Sequence, residues 1–138
     1  MARDADGFRS AWCRSYQGIT DPLIIEALAL RDAVVAAHNQ NFEKIIAETD
    51  CAELVGLWLE RRNHRALINP IISEIGEVIG KFTSFELVHI QRTANTVAHD
   101  CAKFACVHSA PADWVVESPP CLSYSLMADC NSGYPVKM

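Results

Sequence analysis

Residues 24–51, IIEALALRDAVVAAHNQNFEKIIAETDC, constrain the fold of this chain more than any other stretch. They read as an apolar helix, a polar turn at Asn39-Gln40-Asn41, a strand over 44–49 and an acid, Asp50, at the strand's end. The helix is apolar around most of its circumference, which requires burial on more than one side. The strand is rich in isoleucine and suits a sheet interior. Two carboxylates stand out against this background. Glu26 sits in the first turn of the expected helix, on a face continued by Ala29, Leu30, Ala33 and Ala37. A carboxylate in such surroundings is costly unless a proton, a cation or a hydrogen-bond donor satisfies it. Asp50 occupies the end of a strand, where open α/β sheets commonly bind their ligands. Paired acids on adjacent elements suggest a divalent-metal site. Each also has a simpler reading: Asp50 and Glu53 spell a D-x-x-E capping box, and Glu26 can face solvent or pair with Arg31 across the helix.

The rest of the chain places this stretch within an α/β order. Asp6-Gly7 is a hairpin turn signal leading into a strand over 8–16, but only Met1-Ala2 precede it as apolar residues, leaving the hairpin half its pair. Thr20-Asp21-Pro22 opens the central helix, with Thr20 or Asp21 as cap and proline tolerated in the first turn. A second helix starts at Asp50 or Cys51 and ends in Glu60-Arg61-Arg62-Asn63-His64-Arg65. A third begins at Asn69-Pro70 and closes at Gly80. Residues 82–90 alternate as a strand, with Phe85, Leu87 and His89 on one face, so His89 reads as a packed core histidine. Asn95 caps a last helix through about Val107. From Ser109 the composition turns to proline and serine, giving a domain over 1–108 and a tail over 109–138 in which Trp114-Val115-Val116 is a docking point for a protein partner.

At 138 residues, with 12 Lys and Arg against 17 Asp and Glu, the chain is one acidic domain with formal charge −5. That charge excludes a basic sheath for non-specific nucleic-acid binding, though not a local basic groove. No apolar run is long enough for a membrane span, and MARDADG lacks the apolar core of a signal peptide. The expected compartment is intracellular, cytoplasmic or nuclear, where the six scattered cysteines stay reduced thiols. No C-x-x-C pair, glycine-rich phosphate loop or nucleophile motif is present.

The element order, with EALALRDAV, then IIAETDC, then FELVHIQRTANTVAHDCAKFA, resembles the ribonuclease H fold. More narrowly it is similar to plant ribonuclease H-like, reverse-transcriptase-associated domains related to retrotransposons. PPCLSYSLMAD resembles the segment on the C-terminal side of those domains. The resemblance implies an α/β fold with a mixed sheet flanked by helices, here lacking the family's first, central strand, as in an N-terminally truncated chain. Unpaired backbone groups in mid-sheet would make such a chain marginally stable. It implies hydrolysis of RNA in RNA–DNA hybrids by four acids holding two Mg²⁺ or Mn²⁺ ions, which stabilise attacking water and leaving oxygen together. Glu26 matches the family's helix acid and Asp50 the acid after the strand, making these the metal ligands. The first-strand acid has no counterpart, because Asp6-Gly7 matches a later turn. The last acid falls four residues after an Asn in the final helix, which from Asn95 gives His99. Imidazole is a poorer Mg²⁺ ligand than carboxylate, and Asp100 points about 100° further round the helix.

Catalytic candidates by resemblance are therefore Glu26, Asp50, His99 and Asp100, with Arg92 and Asn95 as substrate contacts. The implied protein binds an RNA–DNA hybrid or other nucleic acid, with activity weak or lost. The alternative is a non-catalytic, retrotransposon-derived interaction module. His99 also reads as a solvated helix residue. The Arg61-Arg62-His64-Arg65 cluster reads either as a phosphate grip or as cations favoured at a helix C-terminus.

Overall fold

The computed structural model describes the chain except for residues 5, 61–66, 109–111, 116, 119–121 and 123–138. The Arg61-Arg62-His64-Arg65 cluster, Val116 and most of the proline- and serine-containing tail lie outside the described residues. The chain divides into two compact units, one of residues 18–90 and one of residues 1–17 with the chain from Gln91 onward.

In the unit of residues 18–90, helix α1 (Pro22–Asn39) is followed by strand β3 (Lys44–Thr49), helices α2 (Ala52–Glu60) and α3 (Asn69–Ile79) and strand β4 (Ser84–His89). Asp21 caps α1 by accepting the Leu23 N–H at 2.9 Å, and Pro22 fills the first helical position, where its missing N–H removes no helix bond. The helix closes through Asn41, whose φ of 60° is tolerated by asparagine's short polar side chain. The Phe42 N–H reaches back to the Ala37 carbonyl at 3.1 Å and satisfies one of the helix's last acceptors. Helix α1 starts at Pro22, so Glu26 stands at the beginning of the second turn rather than in the first.

Strands β3 and β4 pair in parallel from Lys44 opposite Ser84 to Thr49 opposite His89. Parallel neighbours need a long crossover, which α2 and α3 supply. Helix α1 packs on α3 and on α2, and α2 covers β4. The apolar spacing in each element converges on Leu23, Ala27, Leu30 and Val34 of α1, Ile45 and Ala47 of β3, Leu54 and Trp58 of α2 and Ile72 and Ile75 of α3, all buried. The rings of Trp58 and Phe85 meet edge to face at 5.7 Å. His89 is exposed at the end of β4, a correction to its reading as a core histidine: the alternation that buries Phe85 and Leu87 in part has run out by the last strand residue.

In the other unit, β1 (Ala2–Asp4), β2 (Gly7–Cys13) and β5 (Ala112–Val115) form an antiparallel sheet in the order β1-β2-β5. The hairpin therefore has both strands, contrary to the half-hairpin read from the sequence. Pairing uses backbone groups whatever the side chain, so Arg3 and Asp4 extend Ala2 into a strand. Arg9 forms ion pairs with Asp4 and, at 3.2 Å, with Asp6, and the Asp6 N–H donates to the Asp4 carboxylate at 2.9 Å. Helix α4 (Thr96–His108) packs on β2. Ala11, Val97, Cys101 and Leu122 make its buried cluster, with Met1 and Trp114 against it. The segment read as an extended tail thus contributes a strand, locked by an Arg14–Asp113 ion pair at 2.7 Å and by Trp114 packed edge to face on Phe104 at 5.3 Å. Cys13, Cys51 and Cys101 form no disulfide. No described helix is long and apolar enough to cross a membrane.

Candidate functional site

Asp50 lies in the two-residue turn between β3 and α2. The sequence Glu48-Thr49-Asp50-Cys51-Ala52 holds no glycine or proline, so side chains set the turn. Thr49 is buried, and its Oγ1 accepts the Cys51 N–H at 3.1 Å. Its carbonyl accepts the Ile90 N–H at 2.9 Å. Helix α2 begins at Ala52, which puts Cys51 rather than Asp50 in the cap position. The Cys51 carbonyl accepts the Val55 N–H at 3.3 Å, and its sulfur receives the N–H groups of Leu54 and Glu53. The D-x-x-E capping box is therefore one residue out of register: Glu53 occupies the second helical position and Asp50 precedes the cap.

Glu26 is half-buried on α1. Burial raises the pKa of the Cys51 thiol, the Leu54 N–H opposes that rise, and the negative charges of Glu26 and Glu53 add to it. The charge of Glu26 on α1 is thus felt at Cys51, the residue after Asp50. Arg31, one alternative partner for Glu26, donates to Asp32 at 2.8 Å and reaches Glu74 of α3 at 3.7 Å.

The remaining candidates belong to the other unit. Arg92 is exposed in a 3-10 turn, Arg92–Ala94, that leads into α4. Half-buried Asn95 precedes the helix as expected of a cap, and its carbonyl accepts the His99 N–H at 3.1 Å. His99 is exposed and Asp100 half-buried on the first turns of α4. Each unit therefore gathers its own subset: Glu26 and Asp50 in one, and Arg92, Asn95, His99 and Asp100 in the other.

Among the described residues, no three His, Cys, Asp or Glu side chains converge in a way that could hold a metal ion. Glu26 and Asp50 carry carboxylate oxygens, the donor type that Mg²⁺ takes. Sequence reasoning missed Thr49 and Cys51 as the residues that shape the Asp50 turn. The signal was present, because a Thr two residues ahead of a helix cap can accept that cap's N–H.

Residues 1–105 match the family described as reverse transcriptase-like. The fold is similar to the crystal structure of RNase H1 from the halophilic archaeon Halobacterium salinarum NRC-1, with a TM-score of 0.60 and 18% sequence identity over 66% of this chain and 69% of that one. No curated protein matches the sequence. At this identity the structural likeness shows a ribonuclease H-like fold.

Proposed function

The chain belongs to the reverse transcriptase-like family, and from that premise we propose a nucleic-acid-binding domain of the RNA–DNA hybrid nuclease type whose hydrolytic activity is weak or lost. What supports this reading is a ribonuclease H-like fold in which the charge of Glu26 is felt at Cys51, the residue after Asp50. In this reading Glu26 and Asp50 would hold one divalent ion through carboxylate oxygens. Bound there, Mg²⁺ or Mn²⁺ would supply Lewis-acid stabilisation of charge on a phosphoryl oxygen. Arg92 contacts a backbone phosphate as a charged donor, and Asn95 contacts the substrate beside it. By the same resemblance, His99 stands where the family's last acid falls, with Asp100 next to it on α4. The finer likeness to plant, retrotransposon-related domains belongs to the same proposal.

The test is binding and cleavage of a labelled RNA–DNA hybrid by the full chain, with duplex DNA and duplex RNA as controls. Salt-sensitive hybrid binding is expected, with slow or absent cleavage in Mg²⁺ or Mn²⁺. Any cleavage should vanish in Glu26→Gln and in Asp50→Asn. Cleavage that survives both substitutions would show that the site lies elsewhere. Absence of binding to every nucleic acid would favour the interaction module, the reading to which the net charge of −5 inclines.

A further inference from the structure

We propose that Thr49 is a positioning residue for Asp50, aiming that carboxylate at the ion; this rests on the metal-site reading above. The argument is one of geometry. A residue's Cα–Cβ direction is fixed when the peptide planes on both sides of it are fixed, because φ and ψ are then set. The plane before Asp50 carries the Thr49 carbonyl, held by the Ile90 N–H at 2.9 Å. The plane after Asp50 carries the Cys51 N–H, held by Thr49 Oγ1 at 3.1 Å. Thr49 thus supplies the acceptor on both sides of Asp50, one from its backbone and one from its side chain, in a residue only 6% exposed, where water competes little for either bond. The Cys51 carbonyl, bonded to the Val55 N–H, continues the restraint into α2. Such support of a ligand by its neighbours tunes a metal site as strongly as many direct contacts do.

Thr49→Val keeps the shape and the carbonyl bond and removes only the hydroxyl acceptor. Thr49→Ser restores that acceptor, and Thr49→Ala is a second hydroxyl-free variant should valine not fold. Mn²⁺ binding to the full chain is measured by calorimetry for each, alone and combined with Asp50→Asn. The expected result is about tenfold weaker Mn²⁺ binding in Thr49→Val, near-parental binding in Thr49→Ser, and no further loss from Thr49→Val once Asp50 is Asn. Faster hydrogen exchange at the Cys51 amide should accompany the loss. Parental affinity in Thr49→Val, or an equal loss on the Asp50→Asn background, would overturn the assignment while leaving the site reading intact. A parent chain that binds no Mn²⁺ would overturn both.

Discussion

The two units hold their candidate residues by different means. In the unit of residues 18–90, Asp50 is anchored at the end of a strand by a buried threonine and a helix cap. In the other, Arg92 and His99 are exposed, on a 3-10 turn and on the first turns of α4. Their interiors differ in the same sense. The first buries Leu54, Ile75, Val34 and Trp58, whereas a cluster in the second is made of Ala11, Val97, Cys101 and Leu122. A carboxylate that must meet a metal needs directional support from bonds shielded from water. A cation that meets a diffuse phosphate surface does not.

The largest expected effect comes from breaking the better-filled interior. Leu54 is fully buried one turn from Asp50, so Leu54→Ala should cost about 2–5 kcal/mol, the range for a leucine truncated in a packed core. Hydrogen exchange should show protection lost in β3, β4 and the helices around them, with β1 and β2 retaining theirs. Equal loss in both would mean that the units unfold as one block, and the comparison would fail.

The next effect belongs to the smaller interior and depends on pH. The α-amino group of Met1 is enclosed, and that burial lowers its pKa from 8.0, opposed in part by the Cys101 charge. Between 8.0 and the lower folded-state value, the unfolded chain binds more protons than the folded one. Stability should therefore rise with pH up to about 8.0 and level off above it, with a slope of at most about 1.4 kcal/mol per pH unit. Melts of the chain with and without N-terminal acetylation isolate the contribution, since acetylation removes the charge and should flatten that part of the slope. An unchanged slope would show that the amine reaches water.

A smaller loss is expected where β5 joins the sheet. Trp114→Ala removes the edge-to-face pair with Phe104, worth about 1 kcal/mol beyond the area it covers. Chemical denaturation of the variant should show it, along with faster exchange at β5 amides than at β3. No change in either would mean that β5 is held by backbone pairing and the Arg14–Asp113 contact alone.

Much of this architecture was legible in the chain, and the exceptions share a cause. Helix α1 and strand β3 were readable because apolar periodicity is the direct imprint of burial, and Asp21-Pro22 and Gly80 mark helix ends through their own backbone chemistry. Strands β1 and β5 were not, because Ala2-Arg3-Asp4 and Ala112-Asp113-Trp114-Val115 carry little alternation and owe their form to pairing with β2. The same holds at the site. Glu26 and Asp50 stood out as acids in apolar company, but the one-residue shift of the cap from Asp50 to Cys51 depends on the Thr49 hydroxyl. That preference for a backbone N–H two residues on is local, weak and decided by burial.

The smallest expected effect probes the Glu26–Cys51 neighbourhood directly. Burial is the main reason the Cys51 thiol titrates above its usual value, with Glu26 and Glu53 adding to it through their charges. Glu26→Gln removes one of these charges, so the thiol should ionise at lower pH and react faster with iodoacetamide at a fixed mildly alkaline pH, because the thiolate is the nucleophile. The gain should be severalfold at most, since burial still dominates. Peptide mapping by mass spectrometry distinguishes Cys51 from the buried Cys13 and Cys101. Glu53→Gln is the matched control: it lies on α2 itself and should accelerate the reaction in the same direction. A response to Glu53→Gln with none to Glu26→Gln would place the α1 carboxylate away from the β3–α2 junction. The pairing with Asp50, on which the single-ion site depends, would then be lost.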